Sequence, residues 1–335
     1  MKTRHLGSLT VAEIGLGCMS LSHAYGAMPS PELAERLLLE AVARGVTYFD
    51  TAALYGFGAN ERLVGRVLAP YRSRIILASK GGMTGVPFPD GVRRVIDGRP
   101  SAIRRDCEAS LERLGVDVID LYYLHRVDLQ NGVPVEDSIG AMSRLVDEGK
   151  VRGLGVSEVS VATLRRAHAV HPLTALQSEY SLWTRNPELG TLEACRELGI
   201  AFVAFSPLGR GFFSDTPPDP SRFESKDIRR QMPRFGADAY AKNLPLLDGL
   251  RLEAARLGCS VAQLALSWIL HRGDHVIPIP GTTSIAHLLE DLRASELSLD
   301  PGQLERLDAL VNQHTVTGAR YAASTQAEID TEDFA

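Results

Sequence analysis

The feature that most constrains the fold is an alternation of two kinds of segment along the whole chain. Short apolar runs rich in β-branched residues are separated by longer amphipathic stretches. The runs predicted as strands are 46–49, 75–78, 118–124, 151–156, 175–178, 201–205 and 275–279, with a further candidate at 14–18. The stretches predicted as helices include 31–44, 101–114, 135–148, 160–170, 188–198 and 286–294. Because neighbouring parallel strands need a crossover connection, this alternation indicates a parallel sheet.

Glycine and proline support these boundaries. A proline stands at the start of two predicted helices, in Ser30-Pro31 and Arg99-Pro100-Ser101, as expected for an N-cap followed by a proline at the first helical position. Glycine follows four predicted helices, where it favours a left-handed C-terminal cap: Gly45, Gly115, Gly149 and Gly199.

Two architectures have such a sheet, the doubly wound fold and the barrel. A doubly wound fold normally carries G-x-G-x-x-G after its first strand, but the segment 15–20 lacks the third glycine, and the chain has no P-loop. We therefore predict an α/β protein with a (β/α)8 TIM barrel that forms a single domain over residues 1–335. A short N-terminal β-hairpin is predicted over residues 1–13. Long loops are predicted on the C-terminal face, among them 209–240.

Composition excludes several classes of protein. Hydrophobic residues make up 44% of the chain and charged residues 23%, which is typical of a globular protein. The net charge of −5 gives no reason to expect a nucleic acid or an anionic membrane as a partner. No apolar run approaches the ~20 residues of a membrane span, and the N-terminus shows no signal peptide. The oligomeric state is not predicted.

The cysteines point to a reducing compartment. They are widely spaced and form no C-x-x-C pair, which argues against a disulfide framework and against a metal site: Cys18, Cys107, Cys195 and Cys259. We expect a cytoplasmic protein.

Polar residues follow the predicted strands, at the end where a barrel enzyme has its active site. Asp50 and His125 come directly after a predicted strand, Lys80 follows one after Ser79, and Tyr55 lies on the loop after Asp50. A phenol has a pKa of ~10, which a neighbouring ammonium such as that of Lys80 lowers. Asp50 would balance the lysine charge, and His125 would donate a hydrogen bond to a substrate oxygen. Such a group suits proton delivery to a carbonyl.

At these residues the sequence resembles the aldo-keto reductase superfamily, and most of all its bacterial and fungal pyridoxal-reductase-like branch. The matching motifs are Phe49-Asp50-Thr51-Ala52 with Tyr55-Gly56, Ser79-Lys80, Leu124-His125-Arg126, Gly155-Val156-Ser157, Gln177 with Glu179-Tyr180-Ser181, and 206–211. The resemblance implies that Tyr55 is the general acid, that Asp50 and Lys80 tune it, and that His125 orients the carbonyl.

The resemblance also implies a nicotinamide coenzyme and the residues that bind it. Ser157 and Gln177 would bind the nicotinamide carboxamide with Glu158 near them, although many relatives have Asn in place of Glu158. Phe205 would stack on the ring, and the turn of Ser206, Leu208, Gly209 and Gly211 would hold the pyrophosphate, although such a turn alone also fits a plain loop. The adenosine end would be formed by Gly281, Thr282, Thr283, His287, Glu290 and Asp291.

The expected coenzyme is NADPH, with NADH possible. Relatives that use NADPH commonly have Lys or Arg in place of Thr283 or Ser284, and His287 is mostly neutral at pH 7. The basic loop after residue 220 could compensate, although the residues alone favour a solvated loop: Arg222, Arg229, Arg230 and Arg234. We therefore expect weak discrimination between the two coenzymes.

The predicted function is reduction of a small-molecule aldehyde or ketone. The alternative is a cofactor-bound regulatory or binding subunit with little turnover, as in the ion-channel accessory subunits of this superfamily. The complete set of four catalytic residues favours the enzyme, and the nicotinamide-site motifs argue against a lyase or isomerase. The substrate is not predicted, because specificity lies in the loops 82–99, 126–133 and 209–240 and in the tail after Gly302. Candidate pocket walls are Tyr25, Phe57, Phe88 and Trp183.

Overall fold

A computed structural model of the chain describes residues 1–22, 24–89 and 91–334. Within them the strands are β1 (Thr3–Leu6), β2 (Leu9–Ala12), β3 (Leu16–Gly17), β4 (Tyr48–Asp50), β5 (Ile76–Gly81), β6 (Met83–Phe88), β7 (Gly91–Ile96), β8 (Ile119–Leu124), β9 (Val151–Ser157), β10 (Ala175–Glu179), β11 (Ala201–Phe205) and β12 (Val276–Ile279). The helices are α1 (Pro31–Ala43), α2 (Ala59–Leu68), α3 (Pro100–Leu114), α4 (Val135–Asp147), α5 (Val161–Val170), α6 (Thr191–Leu198), α7 (Ala237–Leu257), α8 (Val261–Leu270), α9 (Ile285–Leu292), α10 (Pro301–Leu310) and α11 (Ala323–Gln326).

Eight parallel strands form the barrel, in the order β3-β4-β5-β8-β9-β10-β11-β12. The first and last strands close it: the amides of Gly15 and Gly17 donate to the carbonyls of Pro278 and Pro280, both at 3.0 Å. A Cβ at Gly17 would lie 2.9 Å from the carbonyl oxygen of Ile279, so this close approach requires glycine. The predicted (β/α)8 barrel is confirmed, and the candidate strand at 14–18 supplies β3.

The N-terminal segment forms the antiparallel hairpin β1–β2, as predicted. Its buried side chains Leu6 and Val11 belong to the same cluster as Tyr48, Leu121 and Val203 of the barrel strands. The hairpin therefore packs against the interior of the barrel, and the larger apolar cluster lies between the barrel and its helices.

A second hairpin, β6–β7, lies in the segment 82–99, for which the sequence predicted only a loop. Its strands pair antiparallel from Met83 with Ile96 to Phe88 with Gly91, so the backbone groups of this excursion are satisfied within it. The hairpin projects from the end of β5 and forms one wall of the site.

Helix boundaries follow the predicted capping residues. Ser30 accepts a hydrogen bond from the amide of Leu33, whereas the Arg99 side chain makes no capping bond. All four predicted cap glycines have positive φ: Gly45, Gly115, Gly149 and Gly199. The helix predicted over 188–198 begins only at Thr191, because residues 186–189 form a separate 3-10 turn that ends at Gly190.

The segment 209–236 contains short 3-10 turns, and the predicted loop 209–240 ends earlier than expected because α7 begins at Ala237. α8 was not among the helices predicted from amphipathic patterns, because nine of its ten residues are buried and it has no polar face. Among the described residues, no helix is long and apolar enough to cross a membrane.

Candidate active site

A cavity of about 1040 Å³ opens at the carboxyl ends of the barrel strands. Asp50, Tyr55 and His125 line one part of it, residues 205–208 line the middle, and residues 279–283 with the start of α9 line another part. This volume matches the largest sites that bind small molecules, which reach roughly 1,000 Å³.

Lys80 is the centre of a buried polar group at the end of β5. Its Nζ donates to Asp50 Oδ1, to the Thr51 carbonyl oxygen at 2.9 Å and to the Tyr55 hydroxyl at 3.3 Å. The lysine is 1% exposed and Asp50 is 2% exposed. A lysine buried to this extent is stable only when paired, and Asp50 supplies the opposite charge. Gln177 holds the carboxylate from the other side through Nε2 to Oδ2 at 2.8 Å.

The pKa values follow from this arrangement. Burial alone would lower the pKa of Lys80, but Asp50 and Tyr55 outweigh it, so the pKa lies above its usual value and the lysine is charged. Burial raises the pKa of Tyr55, and Lys80 acts in the opposite direction without reversing the shift. Lys80 therefore lowers the pKa of Tyr55, as predicted, but the increase caused by burial is larger. A phenol with a raised pKa stays protonated at neutral pH, as a proton donor must.

His125 lies beside Tyr55 at the end of β8. The two rings are perpendicular, with an interplanar angle of 84° and centroids 5.9 Å apart, and the His125 amide donates to the Gly81 carbonyl at 2.9 Å. The four predicted catalytic residues thus come from three neighbouring strand ends, and Asp50, Tyr55 and His125 line the cavity while Lys80 lies behind Tyr55. The arrangement can place a proton donor and a second polar group at one carbonyl oxygen.

Ser157 and Gln177, predicted to bind a carboxamide, both line the cavity beside this group. Glu158 does not. Its carboxylate accepts from Ser178 Oγ and the Glu179 amide, both at 2.8 Å, and pairs with Arg320. Burial alone would raise the pKa of Glu158, but Arg320, Arg126 and the hydrogen bonds together outweigh it and the pKa is lowered. A buried carboxylate needs an opposite charge, and this one points toward Arg320. The Glu158 amide donates to the Gln177 carbonyl at 3.0 Å, so Glu158 lies beside Ser157 and Gln177 as expected, and its role near the nicotinamide stays a prediction.

The turn after β11 runs along the middle of the cavity. Phe205, Ser206, Leu208 and Gly211 line it, whereas Gly209 does not, because it packs under the Trp183 indole. Positive φ angles occur at Ser206 (48°), Gly209 (56°) and Gly211 (92°). Such a backbone turns successive N–H groups to one side, which suits a bound anion. This turn therefore fits the phosphates of a dinucleotide.

All six residues predicted for the adenosine end line the cavity: Gly281, Thr282, Thr283, His287, Glu290 and Asp291. The Ser284 hydroxyl caps α9 by accepting from the His287 amide. Burial, with a contribution from Glu290, holds the pKa of Asp291 well above its usual range. Of the predicted basic loop, Arg229 alone reaches the cavity, and both Nε and Nη2 donate to the Asp227 carboxylate, at 3.0 and 2.6 Å.

Five further lining residues lie in segments that the sequence named for specificity, but it assigned none of them a role: Arg94, Arg126, Tyr321, Ala322 and Thr325. Arg94 belongs to β7 and pairs with Glu328, so the hairpin and the C-terminal tail meet beside the cavity. Of the candidate walls, Tyr25 lines the cavity. Trp183 packs against Phe212, while Phe57 and Phe88 are 45% and 41% exposed outside it. Arg126 had a signal, since it directly follows His125.

Comparisons with known proteins agree with this geometry. Residues 13–312 match the model of the aldo/keto reductase family. A probable aldo-keto reductase 1 from Glycine max is 42% identical over 312 residues, which cover 93% of this chain and 88% of the relative.

Two solved structures share the fold. The glycerol dehydrogenase of Gluconobacter oxydans superposes with a TM-score of 0.84 at 27% identity, covering 92% of this chain and 94% of that one. The holo form of an aldo-keto reductase from Bacillus halodurans gives a TM-score of 0.78 at 28% identity, covering 96% and 99%. The chain belongs to the aldo/keto reductase family.

Proposed function

We propose that the chain reduces aldehydes or ketones with a nicotinamide coenzyme and that Tyr55 is the proton donor. The observation that carries the proposal is the buried contact of the Tyr55 hydroxyl with Lys80, which is itself paired with Asp50, at the wall of the cavity. A bound coenzyme supplies a hydride to the carbonyl carbon. The protein then has to deliver a proton to the carbonyl oxygen.

Tyr55 is protonated at neutral pH, because its pKa is raised, and it lines the cavity in which the carbonyl would bind. When it gives up its proton, the phenolate is left 3.3 Å from the Lys80 ammonium, which stabilises the negative charge. Asp50 and the Thr51 carbonyl hold the ammonium in this position. His125 lies across the Tyr55 ring and is placed to donate a hydrogen bond to the same substrate oxygen.

The residues of the cavity fit a dinucleotide. Ser157 and Gln177 would hold the carboxamide, Phe205 would cover the ring, and the turn 206–211 would contact the phosphates. Gly281 is required by the fold at this place, because a Cβ there would lie 2.8 Å from the Gly17 carbonyl oxygen and would disrupt the junction of the two strand ends that border the adenosine end.

NADPH is the coenzyme we propose as the natural one, with only weak preference over NADH. The adenosine end contains Thr283 and His287 but no lysine among its described lining residues, and Arg229 is already paired with Asp227. The start of α9 supplies a partial positive charge of roughly half a unit, which attracts a phosphate less strongly than an arginine does.

The test is turnover with a panel of aldehydes and ketones, each with NADPH and with NADH at one ionic strength. The proposal expects reduction with either coenzyme, at comparable kcat/KM. A protein that binds coenzyme but turns over none of the carbonyls would instead fit the regulatory or binding subunit. A pull-down that finds a stable partner would then support that alternative.

A further inference from the structure

One arginine of the cavity forms no ion pair with a carboxylate of the described residues. Within the described ranges, four arginines line the cavity: Arg94, Arg126, Arg210 and Arg229. Three of them have a carboxylate partner, which is Glu328 for Arg94, Glu179 for Arg210 and Asp227 for Arg229. Arg126 forms no ion pair with any described residue.

Arg126 lies next to the reacting group. It directly follows His125, and its charge lowers the pKa of Tyr55, although less than Lys80 does and against the larger effect of burial. Its Nη1 donates to the His125 carbonyl oxygen at 2.7 Å and to Ser157 Oγ at 3.2 Å. Neither contact involves a negative charge. The nearby carboxylate of Glu158, whose pKa Arg126 helps to lower, is held in an ion pair by Arg320 rather than by Arg126.

The remaining donors of Arg126 form an open edge. Its Nε and Nη2 groups make no hydrogen bond to a residue that the structure describes, and the side chain is only half-buried. A guanidinium presents such an edge as a planar pair of N–H groups that matches a carboxylate in two parallel hydrogen bonds. The neighbouring walls are apolar, with Met19, Leu54 and Met83, and suit the carbon part of a substrate.

We propose that Arg126 binds a carboxylate of the substrate, so that the preferred substrates are aldehydes or ketones with a carboxylate a few bonds from the carbonyl group. This inference rests on the proposed carbonyl reduction and names its substrate class. The short spacing follows from the sequence, because Arg126 is adjacent to His125 at the end of β8. Arg126 is a binding residue in this account, and Tyr55 remains the proton donor.

The test compares acids with their own methyl esters, which differ by one charge and little in shape. The substrates are 4-oxobutanoate and phenylglyoxylate, each paired with its ester. The variant is Arg126→Gln, and the matched control is Arg94→Gln, which removes an arginine that lines the same cavity but is already paired. A hydrogen bond to a charged group is worth roughly 10- to 100-fold in affinity. In the wild type we therefore expect kcat/KM to favour the acid over its ester by about that factor, for at least one pair.

Arg126→Gln should abolish most of that preference, whereas Arg94→Gln should keep it. An ester reduced as well as its acid by the wild type, or an unchanged preference in Arg126→Gln, would overturn the inference. So would a loss of NADPH affinity in Arg126→Gln with the acid preference intact, because the arginine would then serve the coenzyme. If neither acids nor esters are reduced at all, the proposed function fails. Binding of 4-oxobutanoate in the presence of NADP⁺, measured by calorimetry for wild type and variant, then still decides whether Arg126 holds a carboxylate.

Discussion

The catalytic and adenosine ends of the cavity differ in how deeply their polar groups are buried. At the catalytic end, Lys80 and Asp50 are almost fully buried and paired with each other. At the adenosine end, His287 is exposed and Thr283 is half-buried, so the groups that would select a coenzyme face solvent. Substitution at a buried pair leaves an uncompensated charge, whereas substitution at an exposed position costs little. We therefore expect substitutions to disturb the proposed proton transfer more than they disturb the choice of coenzyme.

The largest effect is expected from breaking the buried pair. Lys80→Met removes the cation that stabilises the Tyr55 phenolate, so kcat should fall by about 100-fold or more, within the range of general acid catalysis. Because Lys80 lowers the pKa of Tyr55, its removal raises that pKa. The alkaline limb of the pH profile of kcat/KM should then move to higher pH.

The matched control is Lys150→Met, a half-buried lysine far from the cavity lining that is paired with Glu108 and Glu148. It should leave both rate and pH profile unchanged. Thermal unfolding and coenzyme titration of both variants separate loss of chemistry from loss of fold, since Lys80→Met leaves Asp50 buried without its partner. An unaltered rate and pH profile in folded Lys80→Met would remove Lys80 from the mechanism.

A smaller effect is expected at the adenosine end. Thr283→Arg should raise NADPH affinity by about 10-fold or more relative to NADH, because a charge-assisted contact to the 2′-phosphate is worth roughly 1.5 to 3 kcal/mol. Thr283 is the better position, since an arginine in place of Ser284 would lose the α9 cap. Thr283→Gln adds length without charge and should leave the ratio of the two dissociation constants as it is. A hundredfold preference for NADPH in the unmodified protein would mean that another cation already makes this contact.

The smallest effect is expected where the hairpin meets the C-terminal tail. Glu328→Gln breaks the ion pair with Arg94, whose side chain is 41% exposed, and such pairs contribute about 0 to 1 kcal/mol. The melting temperature should fall by no more than a few degrees. KM for a carbonyl should change by less than about threefold, with coenzyme affinity constant. A large loss of kcat would contradict this expectation and would show that the ion pair helps to position the residues at the catalytic end.

The sequence was sufficient for the barrel and for the polar residues at its strand ends. Periodicity located most barrel strands to within two residues, and strand ends converge in any barrel, so the grouping of Asp50, Lys80 and His125 followed. Contacts between irregular segments leave no periodic pattern in the sequence from which they could be predicted. The pairing of Glu158 with Arg320 joins positions 162 residues apart, and nothing in either segment indicates it. For the same reason the tail after Gly302 was expected to contribute to specificity, but Tyr321 and Thr325 could not be named as its lining residues.

Other expectations stay predictions. They include the single domain over residues 1–335, the cytoplasmic location, and the place of the chain in the pyridoxal-reductase-like branch. Arg126 shows a different limit, because the sequence around His125 does not indicate whether a carboxylate pairs with the arginine that follows it. The answer came only from comparing the hydrogen-bond and ion-pair partners of all four arginines that line the cavity.

The most direct test of the account is a single-turnover measurement on Tyr55→Phe. Protein loaded with one equivalent of reduced coenzyme is mixed with excess aldehyde, and oxidation of the nicotinamide is followed by its absorbance. The account predicts rapid oxidation in the wild type and a rate about 10² to 10⁴ times lower in Tyr55→Phe, with coenzyme affinity unchanged in a parallel titration. A variant that keeps more than half of the wild-type rate would contradict the role of Tyr55 as proton donor.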